Sequence, residues 1–329
     1  MRTHLLPAAL LATLPALAAC LDATHDEQVQ ALGGEAPGVA PGPDHRPGQP
    51  CLVCHGSEGP AKSSFSIAGT VSAVGADVKD LSVGDHVAWA GPGKSYAEQV
   101  ALPARAVVPV PEGMNLQVAA AVILQGMTAH YLCTSTYPVS DGDITVVHAA
   151  AGGVGLLLTQ MVKRRGGLVV GTTSGGEGGE KVELALGAGA DHVVGYDRFR
   201  DIVDDASDGA GAHVVYDGVG KDTFDDSLAA LRPRGMMVLY GASSGQVPPV
   251  DPQRLNSGGS LFLTRPTLVH YIADAAELRW RAGEVFDWVA KGELEVRIGG
   301  TYPLAEAARA QEDLASRRTT GKLLLLPGL

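Results

Sequence analysis

Positive charge, cysteine and long apolar runs are all scarce in this chain. Its 25 lysines and arginines are outnumbered by 36 aspartates and glutamates, which gives a formal net charge of −11. Nucleic-acid binding rests mainly on clustered cations, so this balance argues against DNA or RNA as a partner. Four cysteines in 329 residues exclude a disulfide scaffold, and no apolar run reaches the roughly 20 residues of a membrane-spanning helix.

Glycine and proline, in contrast, are abundant. The chain has 43 glycines and 20 prolines, while charged residues make up only 19%. This composition indicates a turn-rich enzyme-like protein. A length of 329 residues suits two domains better than one, and each would have enough chain to bury a core.

The first twenty residues differ from the rest. Arg2 is the one cation before an apolar stretch, Leu5 to Ala19, which ends directly before Cys20. This pattern resembles a bacterial lipoprotein signal peptide over residues 1–20, in which the cysteine carries the lipid. It predicts an exported protein that meets the membrane only through a lipid on Cys20. The alternative is a frayed apolar N-terminus.

Residues 21–64 are rich in glycine and proline and are expected to form a linker. Cys51, Cys54 and His55 within it match the pattern for covalent haem attachment, with two thiols for thioether bonds and an axial histidine. A haem pocket needs packed helices and usually a second axial ligand, and the next methionine is Met114. The context favours a thiol pair or a local disulfide over haem c or a zinc site.

A regular alternation of apolar runs and amphipathic segments begins after Ser140, as in a doubly wound parallel sheet of the Rossmann type. The predicted strands are Ile144–Ala149, Leu168–Thr172, His192–Gly195, His213–Asp217 and Met236–Gly241. The predicted helices are Val154–Arg165, Glu180–Leu186, Phe199–Ala206 and Thr223–Leu231.

The turn between the first predicted strand and helix runs from His148 to Gly155 and consists mainly of alanine and glycine. Small residues let the backbone approach a pyrophosphate, which amides at the helix N-terminus then hold. Because the turn follows a strand and opens a helix, it predicts a dinucleotide site.

The second predicted strand ends in Thr172, Thr173 and Ser174, without the acidic residue that binds the ribose of NAD. This end leaves room for a 2′-phosphate. Lys181 and Tyr196 follow at the tips of the next units, where a cation and a phenol could contact that phosphate. The alternatives are a solvated helix lysine and a strand-end ring.

Several runs together resemble the quinone oxidoreductase, or zeta-crystallin, family of zinc-independent medium-chain dehydrogenases, over about four-fifths of the chain. They are Phe65–Gly75, Val83–Val87, Gln125–Ala129, His148–Gly155, Thr264–Pro266, Tyr302–Leu304 and Ser316–Lys322. The resemblance implies a Rossmann domain at 126–257, inserted into a GroES-like β-barrel domain formed by 65–125 and 258–329. It also implies a homodimer that transfers hydride from NADPH to a quinone or a related electron-poor carbonyl compound.

The resemblance assigns cofactor contacts residue by residue. Gly153 and Val154 would lie under the pyrophosphate, and Lys181 and Tyr196 would meet the 2′-phosphate. The other expected cofactor residues are Thr128, Tyr131, Gly152, Ser174, Tyr240, Gly241, Ala242, Ser243, Pro266, Thr267, Leu268 and Arg317. No metal site is expected, because Trp89, Gly91, Pro92 and Gly93 stand where zinc-dependent relatives have a cysteine-rich loop. No catalytic side chain is assigned.

One departure concerns the residues before Phe65. Family members have the first barrel strands there, whereas this chain has the signal-like segment and the Cys51–His55 motif. The barrel is therefore expected to be incomplete, and quinone turnover weaker than in intact relatives. An NADPH enzyme would be cytoplasmic. The alternative is an exported, lipid-anchored haem or electron-carrier protein with an inactive dehydrogenase-like body.

Overall fold

A computed structural model of the protein describes residues 64–92, 96–174, 178–316 and 318–327. The predicted signal at 1–20 and the Cys51–His55 motif lie outside these residues. The strands are β1 (Ser64–Thr70), β2 (His86–Pro92), β3 (Val108–Pro109), β4 (Ile144–Val147), β5 (Leu168–Thr172), β6 (His192–Val194), β7 (Ala212–Asp217), β8 (Leu231–Leu239), β9 (Phe262–Thr264), β10 (Ile298–Pro303) and β11 (Lys322–Leu326). The α-helices are α1 (Leu116–Tyr131), α2 (Gly153–Arg164), α3 (Glu180–Gly187), α4 (Phe199–Ala206), α5 (Phe224–Ala229), α6 (Gln253–Ser257), α7 (Leu268–Tyr271), α8 (Ala275–Ala290) and α9 (Ala307–Ala315).

Six parallel strands form the central sheet, in the order β6-β5-β4-β7-β8-β9. Every residue of β4 is buried, as expected for a strand covered by helices on both faces. β4 and β5 pair in parallel, with Ile144 opposite Leu168. The predicted Rossmann sheet is confirmed, and the bounds of its five predicted strands differ from those observed by at most five residues.

The largest difference in boundaries is at β8. The strand begins at Leu231, which the sequence places at the end of a helix, and not at Met236. Residues 232–235 interrupt the register between β7 and β8, and Arg234 has a φ of 61°. Pro233, Arg234 and Gly235 do form an irregularity, as their turn-like composition indicates. The chain simply continues into the strand on both sides of it.

The remaining strands form two small sheets. β1, β2 and β3 make an antiparallel sheet, and β10 and β11 make a parallel pair. Within the described residues these strands do not close a barrel, and the residues before Ser64 lie outside the described part of the chain, so the partial GroES-like domain stays a prediction. α1 runs across residue 126, and β9 extends the central sheet beyond residue 257, so the predicted domain boundaries stay a prediction.

Helix α1 is the core helix that joins the sheets. Asn115 caps it by accepting a hydrogen bond from the Gln117 amide at 2.7 Å. Its length and composition, together with the following π-helical turn to Thr136, would suffice to cross a membrane, but 78% of its most apolar window is buried inside the protein. A buried helix of this kind is typical of a protein core.

Candidate cofactor-binding cleft

A cleft of about 350 Å³ lies at the C-terminal ends of the central strands. Ligands of open parallel sheets bind at this edge. The cleft brings together five of the predicted cofactor residues: Gly152, Ser174, Lys181, Tyr196 and Ser243. Its other lining residues are Ala149, Ala151, Thr173, Val219, Asp222, Thr223 and Thr319.

The turn between β4 and α2 is tightly folded. Ala149 adopts a left-handed φ of 52°, and its carbonyl oxygen accepts a hydrogen bond from the Gly152 amide at 2.8 Å. A Cβ atom on Gly155 would lie 2.3 Å from the Ala149 oxygen and 2.8 Å from the Ala150 Cα. Because both neighbours are backbone atoms, only glycine fits at position 155.

Helix α2 begins at this turn, with Gly152 as its N-cap and with no acidic residue in its first turn. The amides of an uncapped first turn, together with the helix dipole, favour an anion. Gly153 and Val154 are the first two residues of the helix. A Cβ atom on Gly153 would meet the buried Gln125 side chain at 2.3 Å, so the turn packs closely against α1.

The end of β5 carries hydroxyl groups and a nearby cation. Lys181, in α3, donates a hydrogen bond from Nζ to Ser174 Oγ at 3.0 Å. Tyr196 lines the same cleft from the loop after β6. Residues 175–177, part of the glycine- and glutamate-rich stretch between Ser174 and Lys181, lie outside the described part of the chain.

A buried polar network lies beneath the turn. The His148 ring is fully buried between two hydroxyls, with Nδ1 2.8 Å from Thr172 Oγ1 and Nε2 2.9 Å from Ser227 Oγ. Ser227 Oγ donates to Asp217 Oδ2 at 3.1 Å. Burial lowers the pKa of His148 to about 4, and the charges of Asp217 and Asp226 offset only part of this effect. His148 is therefore neutral at physiological pH.

Asp217 fixes the loop that forms the opposite wall of the cleft. Its Oδ1 accepts hydrogen bonds from the Val219 and Gly220 amides at 2.7 and 2.8 Å. Its Oδ2 accepts one from the Thr223 hydroxyl at 2.7 Å. The carboxylate is fully buried, so these bonds compensate for its lost hydration.

Two stacked tyrosines connect α1 with α7. The ring centroids of Tyr131 and Tyr271 are 4.2 Å apart, at an interplanar angle of 10°. Burial raises the pKa of the Tyr131 phenol, which therefore stays protonated. The buried Arg281 donates from Nε to the Tyr271 carbonyl at 2.9 Å and so holds the second ring.

Cys133 is also buried, and burial raises the pKa of its thiol to about 12, as expected for an inert core residue.

The other predicted residues lie on neighbouring segments. Tyr240, Gly241 and Ala242 follow β8, where a Cβ atom on Gly241 would lie 2.5 Å from the Gly218 oxygen. Pro266, Thr267 and Leu268 lie between β9 and the start of α7. Thr128 uses its hydroxyl within α1, donating to the Leu124 carbonyl at 2.8 Å. Arg317 lies outside the described residues.

Sequence reasoning missed part of the cleft. Thr173 directly follows β5, and Val219, Asp222 and Thr223 follow β7. The signal was available, because the C-terminal ends of parallel strands meet at one edge. Thr319 comes from the segment before β11 and could not be assigned to the cleft without the tertiary structure. In the described part of the chain, no group of three or more His, Cys, Asp or Glu side chains could hold a metal ion.

The fold and the cleft together define a medium-chain dehydrogenase with a nucleotide-binding Rossmann sheet. A family profile described as zinc-binding dehydrogenase matches residues 188–325. A quinone oxidoreductase from Pseudomonas aeruginosa is 42% identical over 79% of this chain and 80% of its own length. The chain therefore belongs to the quinone oxidoreductase family and is a quinone reductase-like enzyme.

Two further relatives are similar over most of the chain. A 2-haloacrylate reductase from a Burkholderia species is 38% identical over 86% of each protein. The crystal structure of Escherichia coli quinone oxidoreductase complexed with NADPH superimposes with a TM-score of 0.76, at 38% identity, over 80% of this chain and 81% of that one. These matches confirm the resemblance seen in the sequence motifs.

Proposed function

We propose that this protein transfers a hydride from NADPH to a quinone or to a related electron-poor carbonyl compound. The observation that carries the proposal is the cleft, which is lined both by the glycine-rich turn up to Gly152, the N-cap of α2, and by the hydrogen-bonded pair of Ser174 and Lys181. NADPH is the cofactor bound in the similar Escherichia coli structure.

The residues of the cleft fit such a cofactor. Gly152 lines the cleft at the N-terminus of α2, where a pyrophosphate would accept bonds from free backbone amides. Near the end of β5, the cleft is lined by Thr173, Ser174 and the Lys181 side chain. A cation at this place suits the 2′-phosphate of NADPH, whereas a site for NAD has a carboxylate that binds the ribose hydroxyls.

The bound cofactor supplies the hydride. The protein's own contribution is mainly to position the two reactants, because hydride passes directly between two rings. The stacked pair of Tyr131 and Tyr271 fixes the C-terminal end of α1 against α7. The protons of the reduced acceptor can come from water, so no acid-base pair of side chains is required.

The cofactor assignment is tested by titrating NADPH and NADH by fluorescence. We expect NADPH to bind at least about tenfold more tightly, about 1.4 kcal/mol, because Lys181 can pair with the extra phosphate. Lys181→Ala should remove most of this preference. Lys291→Ala, a surface lysine paired with Asp287, is the matched control and should change neither affinity. Equal affinities in the unaltered protein would contradict the assignment.

The acceptor is tested by following NADPH oxidation with a soluble benzoquinone and with a 2-haloacrylate. The Pseudomonas relative supports the first substrate and the Burkholderia relative the second. Both are electron-poor unsaturated compounds, so one hydride-transfer site could serve either. A protein that binds NADPH but oxidises it with neither acceptor would contradict the proposed activity.

Assembly and location are part of the same proposal: a cytoplasmic homodimer, supplied with NADPH there. The lipid-anchored alternative depends on Cys20, Cys51, Cys54 and His55, all outside the described residues. Fractionating cells that express the full chain or its Cys20→Ala variant separates the two. Membrane association that is lost in the variant would favour the lipoprotein, whereas soluble protein in both would favour the cytoplasmic enzyme.

A further inference from the structure

Four fully buried polar residues form one hydrogen-bonded network beneath the cleft: Thr172, His148, Ser227 and Asp217. They come from four places in the fold, namely the last residue of β5, the residue that follows β4, helix α5 and the last residue of β7. A buried polar network whose members are all paired makes the segments that it joins rigid. This network therefore links three strands and a helix at the edge of the sheet that carries the cleft.

The hydrogen atoms of the network can be assigned from the number of donors on each group. The Asp217 carboxylate accepts the hydrogen bond of the Ser227 hydroxyl at 3.1 Å. Because a hydroxyl has a single hydrogen, Ser227 Oγ accepts from His148 Nε2 at 2.9 Å. The neutral ring then has no proton on Nδ1, which accepts from the Thr172 hydroxyl at 2.8 Å. All the hydrogen bonds run toward the carboxylate, and one tautomer of His148 satisfies them.

The network lies directly next to residues that line the cleft. Ala149 and Thr173 each follow a member of the network in the chain, and both line the cleft. Thr223, another lining residue, donates from its hydroxyl to the carboxylate of the network at 2.7 Å. The ring of Tyr196, which also lines the cleft, has its centroid 5.8 Å from that of His148. A displacement of the network would therefore move several walls of the cleft together.

Ala149 has the most demanding backbone conformation of these lining residues. Its φ of 52° lies in the left-handed region, which residues with a Cβ atom seldom adopt. Such a conformation persists where the surrounding structure holds it in place. The preceding residue, His148, is fixed by its ring between Thr172 and Ser227 and by its amide, which donates to the Tyr216 carbonyl at 3.1 Å. The turn is thus held from below by the protein alone.

We propose that His148 is a positioning residue that keeps the cleft in its binding geometry before a cofactor arrives. It acts through the turn after β4, the end of β5 and the loop after β7, and it does not touch the cofactor because it is fully buried. The inference rests on the proposed function, since it requires that the cleft take a nicotinamide dinucleotide. Without the network, a smaller fraction of molecules would have the walls in place, and the apparent dissociation constant would rise in proportion.

Variants of the full chain test the proposal, with dissociation constants for NADPH and NADH measured by calorimetry. Thr172→Val removes the hydroxyl that donates to the ring, Ser227→Ala removes the oxygen that accepts from it, and a double variant combines the two changes. Thr172→Ser keeps the hydroxyl. Thr145→Val is the matched control, because Thr145 is an equally buried threonine of the same sheet that does not line the cleft. Its hydroxyl joins β4 to β5 by donating to the Leu168 carbonyl at 2.9 Å.

We expect Thr172→Val and Ser227→Ala each to weaken binding about tenfold, as when the binding-competent fraction falls to about one tenth. The loss should be equal for NADPH and NADH, because the network holds the walls and does not contact the 2′-phosphate. The double variant should also lose about tenfold, and not the roughly hundredfold of independent sites, since both hydroxyls act through one ring. Thr172→Ser should bind as the unaltered protein does. A loss confined to NADPH, or additive losses in the double variant, would overturn the proposal.

The melting temperature of the cofactor-free protein separates positioning from a general loss of stability. Thr172→Val and Thr145→Val each remove a buried, hydrogen-bonded hydroxyl, so both should lower this temperature, but only Thr172→Val should weaken binding. An equal loss of binding in Thr145→Val would show that reduced stability explains the effect and would overturn the proposal. Ser227→Ala gives the same comparison if Thr172→Val does not fold.

Failure of this inference can be told apart from failure of the proposed function. If the unaltered protein binds neither NADPH nor NADH, the proposed function itself fails. If it binds NADPH, and Thr172→Val and Ser227→Ala bind it equally well, only the inference about His148 fails.

Discussion

The central sheet and the β1–β3 sheet differ in how they satisfy their buried polar groups. In the central sheet, Thr145 donates to the Leu168 carbonyl at 2.9 Å, and Thr172 is paired with His148. In β1, the hydroxyls of Ser66 and Thr70 are buried without partners in the described residues, and the strand pairs with β2 on one edge alone. Because the central sheet also has an unpaired buried atom among the described residues, Arg232 Nε in β8, the clearer difference is in strand pairing. β4 pairs with a strand on both edges, whereas β1 pairs with one strand among the described residues. Cofactor binding and acceptor turnover should therefore respond differently to perturbation.

The largest expected effect comes from disturbing the tight turn between β4 and α2, at the edge of the central sheet. In Gly155→Val, the new Cβ atom would meet the Ala149 oxygen at 2.3 Å. Since backbone must move to relieve this clash, we expect the free energy of unfolding to fall by about 3 kcal/mol or more, with loss of NADPH binding. Urea unfolding and fluorescence titration measure the two effects.

Gly187→Ala provides the control for that experiment, because a Cβ atom at Gly187, in α3, meets nothing within 4 Å. It should be neutral or stabilising by up to about 1 kcal/mol, since alanine favours a helix over glycine. Full NADPH binding by a stable Gly155→Val protein would show that the turn tolerates a side chain and would weaken the contrast between the two sheets.

A smaller effect is expected from pH. Because burial holds the pKa of His148 near 4 in the folded state, against about 6.5 when unfolded, the unfolded chain binds the extra proton between these values. The stability contributed by neutral His148 is present above pH 6.5 and is lost as the pH falls toward 4. The total loss is about 3 kcal/mol.

Urea unfolding of the unaltered protein and of His148→Gln between pH 4 and 7.5 isolates this contribution. The variant cannot titrate at this position, so its stability should depend less steeply on pH in this window, while other acidic and histidine groups act alike in both. Parallel curves for the two proteins would show that His148 is not a buried neutral group in solution.

The edge of β1 that has no partner strand among the described residues is tested by hydrogen exchange. Amides of β1 should exchange about 100-fold faster than those of β4, a difference in opening free energy of about 2.8 kcal/mol. The same sample is assayed for quinone turnover, which should be weaker than in intact relatives because the acceptor side is less ordered. Strong protection over Phe65–Val74 together with rapid turnover would mean that the barrel is complete after all.

The parallel sheet could be predicted from the sequence because its signals are local. Each strand is an apolar run with glycine nearby, and the small residues from His148 to Gly155 mark the turn between a strand and a helix. The same dependence on local signals explains the error at β8. Pro233 and Gly235 have a turn-like composition, but pairing with the neighbouring β7 continues the strand on both sides of them. Whether such a segment is a turn or part of a strand depends on the strand it pairs with, and the local sequence does not show which strand that is.

The candidate site could also be predicted in part from the sequence. Ser174, Lys181 and Tyr196 lie together in the cleft, as the ends of consecutive parallel strands require. The roles assigned to the sixteen cofactor residues stay predictions, since placing a residue near a cleft does not show what it binds. Thr319 could not be found, because it approaches the cleft from the other end of the chain.

The contact between the C-terminal segment and the cleft also determines when the cleft can be completed during synthesis of the chain. Gly152, at the start of α2, forms a parallel bridge with Gly321, and Thr319 lies in the wall of the cleft. A ribosome makes these partners 169 residues apart, as the difference between positions 321 and 152 shows. Strands β4, β5, β6 and β7 can pair on the nascent chain well before that point. The part of the cleft wall that Thr319 supplies can form only after synthesis has passed residue 321.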